Sequence, residues 1–343
     1  MKKFISTSII ISSLFSSTFL LNPEITEAKS TKFDNLFYYF PSQAAYKSLT
    51  ENYKNIDILA PQLYTLDGKY NLSKPASTDA IDFAKKNKID VMPLVYNEGF
   101  SKQLMREFLA NTKAQDKFIT QLVREAQRKK FVGWQFDFEN INYLDRDAYT
   151  AFVAKASKAF KKKKLDFSVA VIPRRNDFDP YAATQDWSSA YNIGEISKHV
   201  DFVSVMAYDD PISRGPVASM PYVDAVINHT LKTTPASKIS LGIPFYCWQW
   251  ELNQNKKIAN IPYSMTIGTE TTYKNNNYKR SFSKTEGAEN ITFTKDNGER
   301  HSIWCDNYES VAAKISYAKK KGFIGTSAWA LGQEDPKVWN EFK

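Results

Sequence analysis

Two kinds of segment alternate along the 343-residue chain. Short runs rich in β-branched and aromatic residues recur at Asn35–Phe40, Ile56–Leu66, Asp90–Tyr96, Trp134–Ile141, Phe167–Pro173, Phe202–Tyr208, Ile239–Tyr246 and Gly325–Leu331. Most are nearly continuous in apolar character, as expected of strands buried on both faces of a parallel sheet. Between them lie stripes of helical spacing. Phe118, Ile119, Leu122, Val123 and Ala126 form one within Asp116–Lys130, and Tyr149, Phe152, Val153, Ala156 and Phe160 another within Asp147–Lys161. Tyr222–Leu231 and Tyr308–Lys320 carry shorter stripes of the same period. Strand then helix, repeated about eight times, predicts an α/β fold of the (β/α)8 TIM-barrel type. An open doubly wound sheet shares this pattern, but the first strand is not followed by the Gly-rich phosphate turn of a dinucleotide fold.

One stretch breaks the alternation. From Trp248 to about Ile303 the chain is polar, with short alternating segments such as Asn290–Thr294. It reads as an insertion, residues 248–304, containing a few antiparallel strands between the seventh and eighth barrel strands. Cys247 and Cys305, the chain's two cysteines, stand at its ends. An insertion leaves and re-enters a barrel at nearby points, which brings the thiols within reach of a disulfide; the alternative is two unpaired, buried thiols.

The first residues read as a targeting segment. Lys2 and Lys3 precede an apolar stretch from Phe4 to Leu21, and Thr26 and Ala28 suit the −3 and −1 positions of a cleavage site. Residues 1–28 are therefore expected to be a signal peptide and 29–343 the mature barrel, secreted or periplasmic. The rival is an uncleaved anchor, but its serines make the stretch weakly hydrophobic. No stable membrane anchor is expected, and no cysteine lies near the cleavage point to carry a lipid.

The remaining composition is that of an ordinary globular chain, 43% hydrophobic. The formal net charge is +9. An exported protein rarely meets nucleic acid, so none is expected as a partner; anionic wall polymers or surface glycans suit the charge better. The plainer reading is that lysine runs such as 161–164 and 319–321 complement helix C-termini. His199, His229 and His301 lack metal-ligand spacing, and no metal or cofactor is expected. The chain is read as a monomer.

The chemistry concentrates in Gly133-Trp134-Gln135-Phe136-Asp137-Phe138-Glu139-Asn140. Strand alternation puts Gln135, Asp137 and Glu139 on one face and Trp134, Phe136 and Phe138 on the other. Three polar residues aimed into a barrel carry a heavy desolvation cost. At the C-terminal end of a strand, where barrel sites lie, they point to catalysis rather than to a buried structural network.

This segment resembles the fourth-strand D-G-x-D-x-D-x-E pattern of glycoside hydrolase family 18. It keeps Gly133, Asp137 and Glu139, and has Val132 and Gln135 where the pattern has Asp. That departure is similar to the family branch with wall-lytic and spore-type members. Val205-Met206-Ala207-Tyr208-Asp209 resembles the sixth-strand M-x-Y-D motif, Leu241–Tyr246 the seventh-strand G-x-P-x-Y motif, and Gly325–Gly332 the eighth strand with its site tryptophan. Ile303–Asn307, with Ser310 and Lys314, resembles the segment leaving a small α+β insertion. The resemblance covers most of residues 33–343.

It implies a chitinase-like glycosidase acting on β-linked, N-acetylglucosamine-containing glycans, chitin oligomers or peptidoglycan, by substrate-assisted retention. A non-catalytic, chitolectin-like sugar-binding protein on the same barrel is the alternative. By resemblance, Glu139 is the acid and then the base, Asp137 holds the acetamido N–H, and Tyr208 bonds its carbonyl. Met206, Asp209 and Trp329 shape the −1 pocket, although Met206 and Trp329 taken alone would read as core. Tyr39, Tyr64 and Tyr96, at strand ends, are expected to line the cleft or to cap the core. Arg174 and Arg175 are candidates to meet an anionic substrate, or are simply solvated. Gln135 is expected either to donate an N–H to Asp137, keeping it ionised to lower pH, or merely to brace the strand.

Overall fold

A computed structural model describes residues 34–176 and 186–342. The expected signal peptide lies outside them. Strands β1 (Asp34–Tyr39), β2 (Ile58–Leu66), β3 (Asp90–Val91), β4 (Leu94–Asn97), β5 (Gly133–Phe136), β6 (Asp166–Val171), β7 (Phe202–Val205) and β8 (Ile239–Pro244) follow in order. Strands β9 (Tyr246–Glu251), β10 (Lys256–Pro262), β11 (Lys279–Ser283), β12 (Ala288–Thr294) and β13 (Arg300–Cys305) form a separate antiparallel sheet, ordered β10-β9-β13-β12-β11. Strand β14 (Gly325–Trp329) then returns to the main sheet. There β1 pairs in parallel with β14 on one side and β2 on the other, closing the barrel. The third barrel strand is split into β3 and β4 at Met92 and Pro93, where proline has no N–H to give a ladder. The fold is thus a (β/α)8 barrel with an antiparallel insertion between its seventh and eighth strands.

Helices end where the sequence supplies caps. Asn111 Oδ1 accepts the N–H of Ala114 to start Thr112–Lys129, which stops at Lys130 in the left-handed region. Asn307 starts Tyr308–Lys321 and Gly322 ends it. Between barrel and helices runs an aromatic core. Phe136 stacks on Phe152 and meets Phe160 and Phe167 edge-on, while fully buried Trp134 donates its indole N–H to Leu122 O at 3.0 Å. The apolar face of the motif strand therefore packs outward, as alternation requires.

Inside, five strands contribute one polar layer. Gln135 Nε2 donates to Ser168 Oγ (2.9 Å) and Ser204 Oγ (3.0 Å). Ser204 and Ser240 are each linked to Ser327 through their hydroxyls. The motif glycines let the strands approach. A Cβ on Gly133 would lie 2.0 Å from Asp166 O, and one on Gly242 would meet Val205 O at 2.4 Å and the Tyr208 ring at 2.9 Å. Any side chain at either position would push the site strands apart.

Cys247 and Cys305 are bonded, 58 residues apart in sequence and opposite one another on β9 and β13. Around them Ile261, Ile291, Phe293 and Ile303 give the insertion its own small core.

Candidate active site

At the C-terminal mouth of the barrel a cleft of about 440 Å³ is lined by Asp137, Glu139, Met206, Tyr208, Asp209 and Trp329, each from the end of a barrel strand. Past Phe136 the motif chain leaves the ladder but keeps its alternation. Asp137 is 4% exposed and lies below Glu139, which is half-buried at the mouth. Asn97 holds this turn: its Oδ1 accepts the Glu139 N–H (3.0 Å) and its Nδ2 donates to Glu139 O (3.1 Å). Tyr191 Oη donates to Phe138 O at 2.8 Å from the other side. The next residue, Asn140, has φ +56° and donates to Phe100 O.

Electrostatics mark the pair. Burial, and then the neighbouring Asp209 charge, push Glu139 up to about 7. Burial and the Glu139 charge raise Asp137 well above the usual carboxylate range. Two like charges in a desolvated cleft are costly, so each carboxyl holds its proton to higher pH than it would alone. Asp137 Oδ1 has no protein partner. Asp209 is open to solvent on one side, and its Oδ1 accepts from Tyr246 Oη on the other. Its carboxyl is raised by its enclosure, against the pull of the Tyr246 hydrogen bond and of Lys257.

The expected donation from Gln135 to Asp137 is not made. Both N–H directions of Gln135 go to Ser168 and Ser204, and its Oε1 has no partner. Gln135 braces the barrel layer beneath the site, and Asp137 is raised by burial and Glu139 rather than held ionised to lower pH.

Two of the three cleft tyrosines also fall elsewhere. Tyr64 is fully buried outside the barrel, edge-on to Trp134, with Oη 3.1 Å from Glu125. The cause is a β-bulge: Gln62 and Tyr64 oppose consecutive residues Leu94 and Val95, so Gln62 faces the cleft and Tyr64 faces out. Tyr39 packs into the outer core with Leu49, and its neighbours Tyr38 and Phe40 line the cleft instead. Tyr96 stands at the rim, its ring 5.4 Å from Phe100, which lines the cleft.

Sequence reading also missed several residues that the cleft uses. Tyr38 lies 5.3 Å from the Trp329 ring, its hydroxyl among Ser204, Ser327 and Gln135. Phe40 (53% exposed) and Phe100 (36%) present bare rings at the mouth, and Gln333 completes the lining. Exposed aromatics of this kind offer flat apolar faces to a ligand. In Asn35–Phe40 the continuous apolar run hides which residues point inward. Phe100 follows a turn and carries no signal. Arg175 is committed to buried Asp210 and lies 4.9 Å over the Tyr222 ring. Among the described residues no group of three or more His, Cys, Asp or Glu is placed to hold a metal.

A carboxyl pair raised by burial, in a cleft at the carboxyl end of a parallel barrel, agrees with what comparison shows. Residues 24–334 match the model of glycosyl hydrolases family 18. The chain belongs to that family. It is a glycoside hydrolase, acting on N-acetylglucosamine-containing glycans. It is 28% identical over 308 residues to the uncharacterized glycosylase YvbX of Bacillus subtilis, covering 88% of each chain. It is 28% identical over 253 residues to the cortical fragment-lytic enzyme of the same organism, where the match spans 71% of this chain and 56% of that one. Among solved structures, a chitinase from Chromobacterium violaceum superposes with a TM-score of 0.81 at 25% identity, over 90% of this chain and 98% of that one. Among the described residues no helix is long and apolar enough to cross a membrane.

Proposed function

We propose that the chain is a retaining enzyme in which the substrate's own acetamido oxygen, not a protein carboxylate, attacks the anomeric carbon. The observation behind this is the placement of the carboxyls. Double displacement by two carboxylates needs one on each side of the scissile bond. Asp137 and Glu139 are alternate residues of a single extended segment and approach from one side, Asp137 buried beneath. Asp209 enters from another strand end, but its Oδ1 is engaged by Tyr246.

Glu139, near 7, gives its proton to the glycosidic oxygen as the C–O bond breaks. The acetamido oxygen closes on C1, forming a cyclic oxazolinium-like intermediate. Asp137, ionised in the reacting form and with its Oδ1 free, accepts a hydrogen bond from the acetamido N–H and stabilises the positive ring, while the Tyr208 hydroxyl meets the acetamido oxygen. Glu139, now a carboxylate, removes a proton from water, which adds to C1 and opens the ring. Trp329 floors the reacting sugar. The substrate class is chitin oligomers or peptidoglycan glycan. The names of the relatives, a chitinase and a cortical fragment-lytic enzyme, support both.

A thiazoline analogue of the cyclic intermediate is expected to inhibit competitively and far more tightly than substrate, and a fully deacetylated glycan to bind without turnover. Efficient cleavage of the deacetylated glycan would mean a protein nucleophile. Such glycans lie outside the membrane, so residues 1–28 are proposed to direct export. N-terminal sequencing of secreted protein is expected to begin at Lys29, and a retained Met1 in that material excludes cleavage.

A further inference from the structure

Beside the catalytic cleft, and sharing Asp209 with it, is a second hollow of about 660 Å³ between the loop after β7 and the insertion. Its walls include Trp248 and Trp250 of β9, and its cations are Arg214, Lys256 and Lys257. The Lys257 nitrogen lies 4.1 Å over the Trp248 ring. The Trp248 indole N–H is buried without an acceptor, whereas that of Trp250 is satisfied by Gly215 O at 2.8 Å. Among the described residues Arg214 bonds the Ser213 carbonyl of its own loop and no carboxylate.

Two carboxylates line the hollow. Asp210 is neutralised by Arg175 and Lys256 lies cross-strand from Glu251, which leaves Asp209 against two cations, Arg214 and Lys257. Glu251 is the register partner of Lys256 and shares its face, the one opposite Trp248, Trp250 and Lys257. A neutral polymer such as chitin has no use for this surplus of positive charge. A glycan whose every second sugar carries an acid does. If the reacting sugar is N-acetylglucosamine in such an alternating strand, the sugars on both sides of it are acidic, so one lies next to Asp209 whichever way the chain runs.

We propose that this hollow is an anion-selecting subsite, in which Arg214 and Lys257 hold the carboxylate of an acid-bearing sugar adjoining the reacting N-acetylglucosamine, and that it directs the enzyme to acidic wall-type glycan over chitin. This rests on the glycosidase reading of the neighbouring cleft. The carboxylate has two sources in such polymers, the lactyl ether of the sugar itself or a peptide attached to it, with the same recognition chemistry.

The test is equilibrium binding to the Glu139→Gln protein, so that turnover does not intervene. The probes are peptide-free alternating strands, the same strands with carboxylates amidated, peptide-bearing strands, and a neutral N-acetylglucosamine oligomer. Charged strands are expected to bind several-fold tighter than amidated ones at low salt, with the preference shrinking as salt screens the cations. The added double substitution Arg214→Gln/Lys257→Gln is expected to cut the charged-to-amidated affinity ratio about threefold to tenfold. Preference for peptide-free strands assigns the anion to the lactyl carboxylate; preference only for peptide-bearing strands assigns it to the peptide. Equal affinity for charged and amidated strands, or a ratio untouched by the double substitution, overturns the subsite. Turnover of the neutral oligomer by the wild-type protein tests the glycosidase reading separately, and its absence would leave the binding result standing.

Discussion

At the residue scale the site depends on a proton that must be present first and absent later. Glu139→Gln keeps shape and hydrogen bonding but cannot donate, so kcat is expected to fall at least about a hundredfold with binding retained; near-wild-type turnover would reject the assignment. The pH profile carries a second test. Glu139 is raised to about 7 by burial and then by Asp209, so the acid form is lost as pH rises through that value. The alkaline limb of kcat/KM, which reports the free enzyme, is expected there. Asp209→Asn removes the like charge that penalises the Glu139 carboxylate. That lowers the Glu139 pKa, and the limb should move to lower pH whatever happens to the absolute rate. A limb that stays, or moves up, means Asp209 does not set the acid.

At the scale of elements, Asn97 at the end of β4 is the clearest positioning residue. It is fully buried and bonds both the N–H and the carbonyl of Glu139, tying the acid's backbone to the neighbouring strand. Asn97→Ala would leave those groups unpaired and let the turn relax. Displacing an acid by about 1 Å can cost on the order of a hundredfold. The expected result is therefore a kcat loss of roughly tenfold to a hundredfold with KM little changed, read by steady-state kinetics on one oligomer. A change confined to KM would assign Asn97 to substrate binding instead. The same element shows what the sequence could and could not tell. Alternation from Gly133 to Glu139 was readable because polar and aromatic residues strictly alternate. The strand ends Tyr39 and Tyr64 were not. Around Tyr39 both faces are apolar, so inward and outward positions look alike. At Tyr64 a bulge that no residue type announces reverses the direction. Asn97 left a faint signal, a lone buried polar residue closing an apolar strand.

On the scale of the whole molecule, the barrel and the insertion have separate cores. The insertion supplies Tyr246 to Asp209 and Trp248 to the adjoining hollow, so its rigidity matters to the site. Among the links that hold it to the barrel, two lie where it leaves and returns. One is the Cys247–Cys305 bond, across the strands that leave and re-enter. The other is the buried ion pair of Asp306 with Lys314, which anchors the return to helix Tyr308–Lys321. The covalent link restricts mainly the unfolded chain, closing a long loop, and such bonds contribute about 2–4 kcal/mol. Removing it should therefore act on the insertion first, because the barrel is closed by its own hydrogen-bonded ring through β1. In a Cys247→Ala/Cys305→Ala protein, hydrogen exchange is expected to accelerate across residues 246–305 while β1, β5 and β14 stay protected. The Asp209-bearing cleft should loosen in parallel, with KM rising before kcat falls. Uniform acceleration through barrel and insertion alike would show instead that the two cores unfold as one unit and that the bond stabilises the whole chain.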